Sequence, residues 1–126
     1  MPAAAALVSS LPKPTLYPIA CNSYNWVTFY GRKGKNWGEN LVENIEEFAK
    51  TGITAYEPGI ENLAMVQRLI PILKKNNIAM PSVYVNSVLH EESAVNESIK
   101  SILEIAKEVK KYGTKIIVTN PSPIKW

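Results

Sequence analysis

Residues 41–57 have the sequence LVENIEEFAKTGITAYE, in which an amphipathic helix, a glycine and a short strand follow one another directly. Apolar residues recur there at helical spacing and form one stripe, made of Leu41, Ile45, Phe48 and Ala49. Gly52 suits the left-handed backbone conformation that ends many helices. The short run after this glycine contains isoleucine, threonine and tyrosine, which favour strands. This helix-glycine-strand unit predicts an α/β protein.

The same alternation of strands and helices continues on both sides of this unit. Strands are predicted at residues 17–23, 53–56, 78–85 and 115–119, and helices begin near residues 40, 62 and 93. Short apolar strands joined by amphipathic helices pair in parallel through right-handed crossovers. The strands recur about every 30 residues, as expected when ~250 residues build eight strand-helix units. We therefore predict half of a (β/α)₈ (TIM) barrel over residues 16–126, in the order β-α-β-α-β-α-β and truncated after its fourth strand.

Two stretches fit this pattern less well. The aromatic residues at 24–30 are followed by Gly31, Gly34 and Gly38, which predicts a loop. Pro71 conflicts with a long second helix, because proline lacks an amide donor and crowds the preceding turn. The sequence leaves two alternatives for this helix: it begins late, with Pro71 in its first turns, or it kinks at Pro71.

Length and composition favour one globular domain. The chain has 126 residues, of which 46% are hydrophobic and 20% are charged, and this composition argues against disorder. Residues 1–15 are rich in alanine, serine and proline, and are predicted to be a flexible tail or the remnant of a leader. No apolar run reaches the ~18 residues of a membrane span, so we expect no membrane partner. A cytoplasmic location is favoured, and export is the alternative if residues 1–15 derive from a leader.

Charge and cysteine content exclude several classes of protein. The net charge of +3 is spread along the chain without a recognisable nucleic-acid module, so no nucleic-acid partner is expected. Cys21 is the only cysteine, which rules out an intrachain disulfide. Its place in an apolar strand indicates a small core residue rather than a nucleophile. Phosphate-binding glycine loops, nucleophile elbows and CxxC motifs are absent from the sequence.

Polar residues are predicted where the parallel strands end, which is the edge that binds ligands in α/β folds. Residues 22–26 follow the first strand, and Glu57 ends the second. Glu57 either accepts hydrogen bonds from a sugar hydroxyl or acts as a base, or it caps the turn before Pro58. Asn86 and Asn120 suit polyol recognition because an amide both donates and accepts, although asparagine is also common at strand ends. His90, the only histidine, is either a proton shuttle or a surface loop residue.

Aromatic and basic residues combine in the stretch after the first strand. Tyr24 and Trp26 precede a basic cluster at residues 32–35, so this stretch either stacks on a sugar and attracts an anionic group or simply covers the barrel. We predict no catalytic residue and no metal ligand in this chain. The predicted substrate-binding residues are Glu57, Asn86, His90, Asn120, Tyr24 and Trp26.

Four segments resemble a known family: IACNSYNW (19–26), ENIEEFAKTGITAYEPG (43–59), MPSVYVNSVLH (80–90) and YGTKIIVTNPSP (112–123). The resemblance is to the N-terminal half of the sugar phosphate isomerase/epimerase family, the xylose isomerase-like barrels that include inosose dehydratase. It implies an N-terminal fragment that contributes substrate-side residues for a sugar or polyol and is inactive alone. It also implies Mn²⁺, Mg²⁺, Co²⁺ or Zn²⁺ in the full-length protein, held by ligands on the later strands and not by this chain.

A half barrel has unpaired edge strands and uncovered inner strand faces. We therefore expect self-association through these edges, or a rearrangement into a flatter sheet covered on both faces. One alternative function is a self-contained flavodoxin-like binding or interaction domain without catalysis, which predicts helices on both faces of the sheet. A half barrel predicts helices on one face only. A third alternative is an endonuclease of the same superfamily, supported only by the basic cluster at residues 32–35.

Overall fold

The computed structural model describes residues 19–124, so the predicted tail and the start of the predicted first strand lie outside the described residues. In chain order the elements are β1 (Ala20–Asn22), α1 (Ser23–Arg32), α2 (Leu41–Ala49), β2 (Ala55–Glu57), α3 (Leu63–Lys75), β3 (Ser82–Ser87), α4 (Glu92–Lys111) and β4 (Ile116–Pro121). Over this range the chain is an α/β protein with four helices and two small parallel sheets. The predicted α/β class is confirmed, whereas the predicted seven-element order is not, because an additional helix, α1, follows β1.

The four strands lie side by side in chain order. β1 pairs in parallel with β2, and β3 pairs in parallel with β4. Two isolated parallel bridges, between Ala55 and Ala79 and between Gly59 and Tyr84, join the two sheets. The Ile60 amide reinforces this junction by donating a hydrogen bond of 2.7 Å to the carbonyl of Tyr84. Parallel pairing of the strands agrees with the prediction from their helical crossovers.

The core lies between one face of these strands and the helices α2, α3 and α4. Side chains alternate between the two faces of a strand. Val83 and Val85 are buried on the helix-covered face, together with Tyr56 of β2. Each of the three helices contributes an apolar stripe to the same core, made of Leu41, Ile45 and Phe48 in α2, Val66, Leu69 and Leu73 in α3, and Ile105 and Val109 in α4. Cys21 is half-buried and packs against this core, as its apolar setting predicts.

The opposite face of the strands is much more exposed, and we refer to it as the open face. Its apolar residues include Ile116, which is 57% exposed, and Val118, which is 38% exposed. The parallel register sets these two residues opposite Ser82 and Tyr84. The open face comprises Ala20, Asn22, Ala55, Glu57, Ser82, Tyr84, Asn86, Ile116, Val118 and Asn120.

The predicted end of α2 and the predicted start of α3 agree with the structure. Gly52 has a φ of +79°, which is the left-handed conformation expected after α2. Asn62 caps α3, since its Oδ1 accepts a hydrogen bond of 3.0 Å from the Met65 amide. Pro71 lies well inside α3, so the alternative in which this helix begins late is wrong.

The aromatic stretch predicted to be a loop is the helix α1. Asn22 caps this helix, since its Oδ1 accepts a hydrogen bond of 2.6 Å from the Tyr24 amide. Trp26 holds the helix against the core: its ring centroid lies 5.0 Å from that of Trp37 and 5.7 Å from that of Phe48. The loop prediction is wrong for residues 23–32, where this aromatic packing outweighs the weak helix propensity of the segment. It is confirmed for residues 33–40, which lie outside the helices and strands.

Candidate functional site

Glu57 is held at the end of β2 by donors from both neighbouring strands. Its Oε1 accepts a hydrogen bond of 2.6 Å from Asn22 Nδ2, and its Oε2 accepts one from the hydroxyl of Ser82. Asn22 is the register partner of Glu57 in β1, and Ser82 is the first residue of β3. The half-buried carboxylate is thus oriented on the open face, with accepting capacity left on both oxygens for a further donor.

Asn86 and Asn120 form a second polar group on the open face, nearer the carboxyl ends of β3 and β4. They are register partners, so their side chains leave the same face of the sheet about 4.8 Å apart along the hydrogen-bonding direction. Both residues are exposed, and the Tyr84 hydroxyl donates a hydrogen bond of 2.9 Å to Asn86 Oδ1. The structure therefore brings together the two amides that the sequence placed at strand ends.

A cleft of about 520 Å³ adjoins this polar surface. Tyr24 lines the cleft and is 72% exposed, so its ring is available to a ligand. Trp26, on the same helix, packs instead against Trp37 and Phe48 and serves the core. The residues that line the cleft are Asn22, Ser23, Tyr24, Asn25, Val27 and Tyr84.

His90 and Arg32 make their contacts with residues other than Glu57. His90 lies in the bend between β3 and α4, and its Nε2 is 3.4 Å from Glu91 Oε1. Arg32 ends α1, where a positive charge is favourable to the helix dipole, and its guanidinium lies 5.6 Å from the ring centroid of Phe29. The structure thus groups Glu57 with Asn22 and Ser82, and His90 with Glu91.

Tyr56 lies behind the site, on the helix-covered face of β2. Its hydroxyl oxygen accepts a hydrogen bond of 2.8 Å from Trp37 Nε1. Burial raises the pKa of Tyr56 to about 12, because the charged phenolate is poorly solvated in the core. Tyr56 is therefore neutral near pH 7, and it packs in the core behind the strand that carries Glu57.

The donors of this site do not fit a divalent metal. In residues 19–124, no three or more side chains of His, Cys, Asp or Glu are clustered to hold a metal ion. Glu57 is the one carboxylate on the open face, and both of its oxygens already accept hydrogen bonds. Within residues 19–124, no helix combines the length and the apolar character that are needed to cross a bilayer.

No family model matches the chain, and neither does any curated protein or any solved structure. The family resemblance described above therefore rests on the four sequence segments and stays a prediction.

Asn22 and Ser82, which form the Glu57 cluster together with Glu57, are not among the predicted substrate-binding residues. Asn22 is predicted only as one of residues 22–26 after the first strand, and Ser82 only as part of the strand at residues 78–85. The available signal was the pairing of the strands, because parallel register sets Asn22 opposite Glu57. That register depends on where β1 and β2 begin, which their short apolar runs do not define.

Proposed function

We propose that the open face is the substrate-side wall of a sugar- or polyol-binding site in one half of a xylose isomerase-like (β/α)₈ barrel. The observation that carries this proposal is the Glu57 carboxylate, held between Asn22 and Ser82 on an exposed face near the carboxyl ends of parallel strands. Ligands of parallel α/β folds bind at this edge. A fixed carboxylate with free lone pairs accepts hydrogen bonds from sugar hydroxyls.

The arrangement of the helices supports a half barrel over the flavodoxin-like alternative. α2, α3 and α4 contribute to one core on one face of the strands, whereas a flavodoxin-like domain needs helices on both faces. The exposure of Ile116 and Val118 on the open face is also typical of an incomplete barrel, since the interior of a complete barrel is filled by such residues.

Each polar group of the site has a distinct role in this proposal. Glu57 accepts hydrogen bonds from one or two adjacent hydroxyls of the ligand, and Asn86 with Asn120 binds hydroxyls farther along it. Tyr24 offers an exposed ring for the apolar C–H face of the sugar. In the family that the sequence resembles, a metal ion polarises the substrate carbonyl. The described residues do not fit that ion, so their part is limited to binding and orientation.

Saturation-transfer NMR with ketopentoses, ketohexoses and inositols tests this proposal directly. We expect at least one of these compounds to bind, and Glu57→Gln to abolish its signal by weakening the acceptor. Glu43→Gln on α2 is the matched control, because it removes one exposed carboxylate away from the open face. Equal loss of signal in both variants, or no binding by any compound, would overturn the proposal.

An activity assay tests the second part, that this chain is inactive alone. Incubation with Mn²⁺ and the same sugars should give no interconversion, because the resemblance places the metal ligands on strands beyond β4. Robust turnover, retained after repurification, would contradict this part of the proposal.

A further inference from the structure

We infer that Asn22 is a positioning residue that couples the start of α1 to the carboxylate of Glu57. Both ends of its side-chain amide are used. Oδ1 accepts a hydrogen bond of 2.6 Å from the Tyr24 amide, and Nδ2 donates one of 2.6 Å to Glu57 Oε1. One side chain therefore caps the helix that borders the cleft and orients the carboxylate that binds the ligand.

The two hydrogen bonds fix the orientation of the Asn22 amide. If the amide were flipped, its oxygen would face the Glu57 carboxylate and its NH₂ group would face the Tyr24 N–H, so both bonds would be lost. Aspartate is as good a helix cap as asparagine but has no donor for Glu57. The capping role therefore accepts either residue, whereas the orienting role requires an amide.

A second hydrogen bond ties the same end of α1 to the segment after β2. The Gly59 amide donates to Ser23 Oγ at 3.0 Å, directly beside the Asn22–Glu57 contact. α1 also carries Tyr24 and Val27, which line the cleft next to Glu57. The cleft-lining side chains of α1 and the Glu57 carboxylate are thus held in a fixed relative position. The consequence for ligand binding rests on the proposed function, whereas the coupling itself does not.

A stability cycle on Asn22→Asp, Glu57→Gln and the double variant tests the coupling without any ligand. Asn22→Asp keeps the cap but sets two carboxylates against each other, so we expect the melting temperature to fall by about 3–6 °C. In the double variant the new amide at position 57 donates to the new carboxylate at position 22, so most of the fall in melting temperature should be reversed. A fully additive cycle, or an unchanged melting temperature for Asn22→Asp, overturns the inference.

A measurement on the unsubstituted chain covers the case in which Asn22→Asp fails to fold. The side-chain NH₂ protons of Asn22 should exchange with solvent more slowly than those of Asn25, an exposed residue in the first turn of α1. Glu57→Gln should reduce this protection, because hydrogen bonds to a neutral acceptor are weaker. Equal exchange rates for Asn22 and Asn25 overturn the inference.

Ligand binding separates this inference from the proposed function. If a sugar binds, Asn22→Asp should weaken binding roughly tenfold while the Tyr24 amide stays protected from exchange. If Asn22→Asp instead binds the sugar as well as the unsubstituted chain, Asn22 does not position Glu57. If no sugar binds, the proposed function fails, and the stability cycle and the NH₂ exchange rates alone decide the coupling.

Discussion

The indole Nε1 of Trp37 donates a hydrogen bond of 2.8 Å to the hydroxyl of Tyr56 within the core. Both side chains are buried, and the ring of Phe48 lies 5.1 Å from that of Tyr56. Trp37 also contacts Trp26 of α1, so this pair links the helix at the site to the strand that ends in Glu57. The geometry of the site therefore depends on an aromatic cluster on the other side of the sheet.

Stability should decrease at alkaline pH because of Tyr56. Its folded-state pKa is raised to about 12 by burial, whereas an unfolded tyrosine titrates near ~10. The folded state thus favours the protonated phenol, and this contribution is complete below pH ~10 and is lost as the pH rises towards ~12. At pH 7, Tyr56→Phe should be less stable by about 1 kcal/mol, since it removes the bond to Trp37.

Urea unfolding at pH 7 and at pH 11 measures this difference. The stability gap between Tyr56→Phe and the unsubstituted chain should narrow at the higher pH, because phenylalanine does not ionise. Burial also raises the pKa of Tyr112, which is less buried than Tyr56. The stability of Tyr112→Phe is therefore measured at the same two pH values for comparison. A gap for Tyr56→Phe that stays constant between the two pH values would contradict the account.

Trp26 and Tyr24 should differ sharply in their effects although they lie on the same helix. Trp26→Ala removes the contacts with Trp37 and Phe48, and should lower the free energy of unfolding by about 2–4 kcal/mol. Tyr24→Ala should change it by less than about 0.5 kcal/mol, since its side chain is exposed. Denaturant titrations measure both, and similar values for the two variants would show that α1 does not pack as described.

Replacing Pro71 should stabilise α3. Proline has no amide hydrogen, so within α3 the carbonyl of Gln67 lacks its usual i+4 donor. Pro71→Ala restores this donor but also increases the conformational entropy of the unfolded chain, which offsets part of the gain. The net effect should be a rise of about 1 kcal/mol in the free energy of unfolding. Gln67→Ala is the control for adding an exposed alanine to the same helix. A melting temperature that falls in Pro71→Ala would indicate that the helix has adapted to the proline.

The exposed apolar residues of the open face should promote self-association. In the described part of the chain, β4 pairs only with β3, and Ile116 and Val118 are accessible. The double substitution Ile116→Thr with Val118→Thr should lower the association constant measured by sedimentation equilibrium, because it reduces apolar area. Val42→Thr is the control, since Val42 is similarly exposed but lies on α2. An equal effect of Val42→Thr would show that self-association does not depend on the open face.

The sequence predicts the three helices whose apolar stripes are regular. Leu41, Ile45 and Phe48 recur at helical spacing in α2, and Gly52 and Asn62 carry recognisable stop and start signals. The parallel order of the strands follows from the crossovers between them. These features are local or nearly local, so a single sequence is enough to recover them.

α1 and the Glu57 cluster depend on contacts between distant residues. Asn22 is of a residue type that commonly caps helices. Gly31 and the aromatic residues before it nevertheless favour a loop by local propensity. The helix forms because Trp26 packs on residues of α2 and of the loop before it. The bonds from Asn22 and Ser82 to Glu57 likewise need the register of three strands, which no local pattern specifies.

A two-dimensional ¹H–¹⁵N NMR titration with the sugar that binds best tests the central claim most directly. The account predicts that the perturbed amides cluster on the open face, at Asn22, Glu57, Ser82, Asn86 and Asn120, and that Glu57→Gln removes these perturbations. Perturbations confined to the helix-covered side, around α2 and α3, would contradict it.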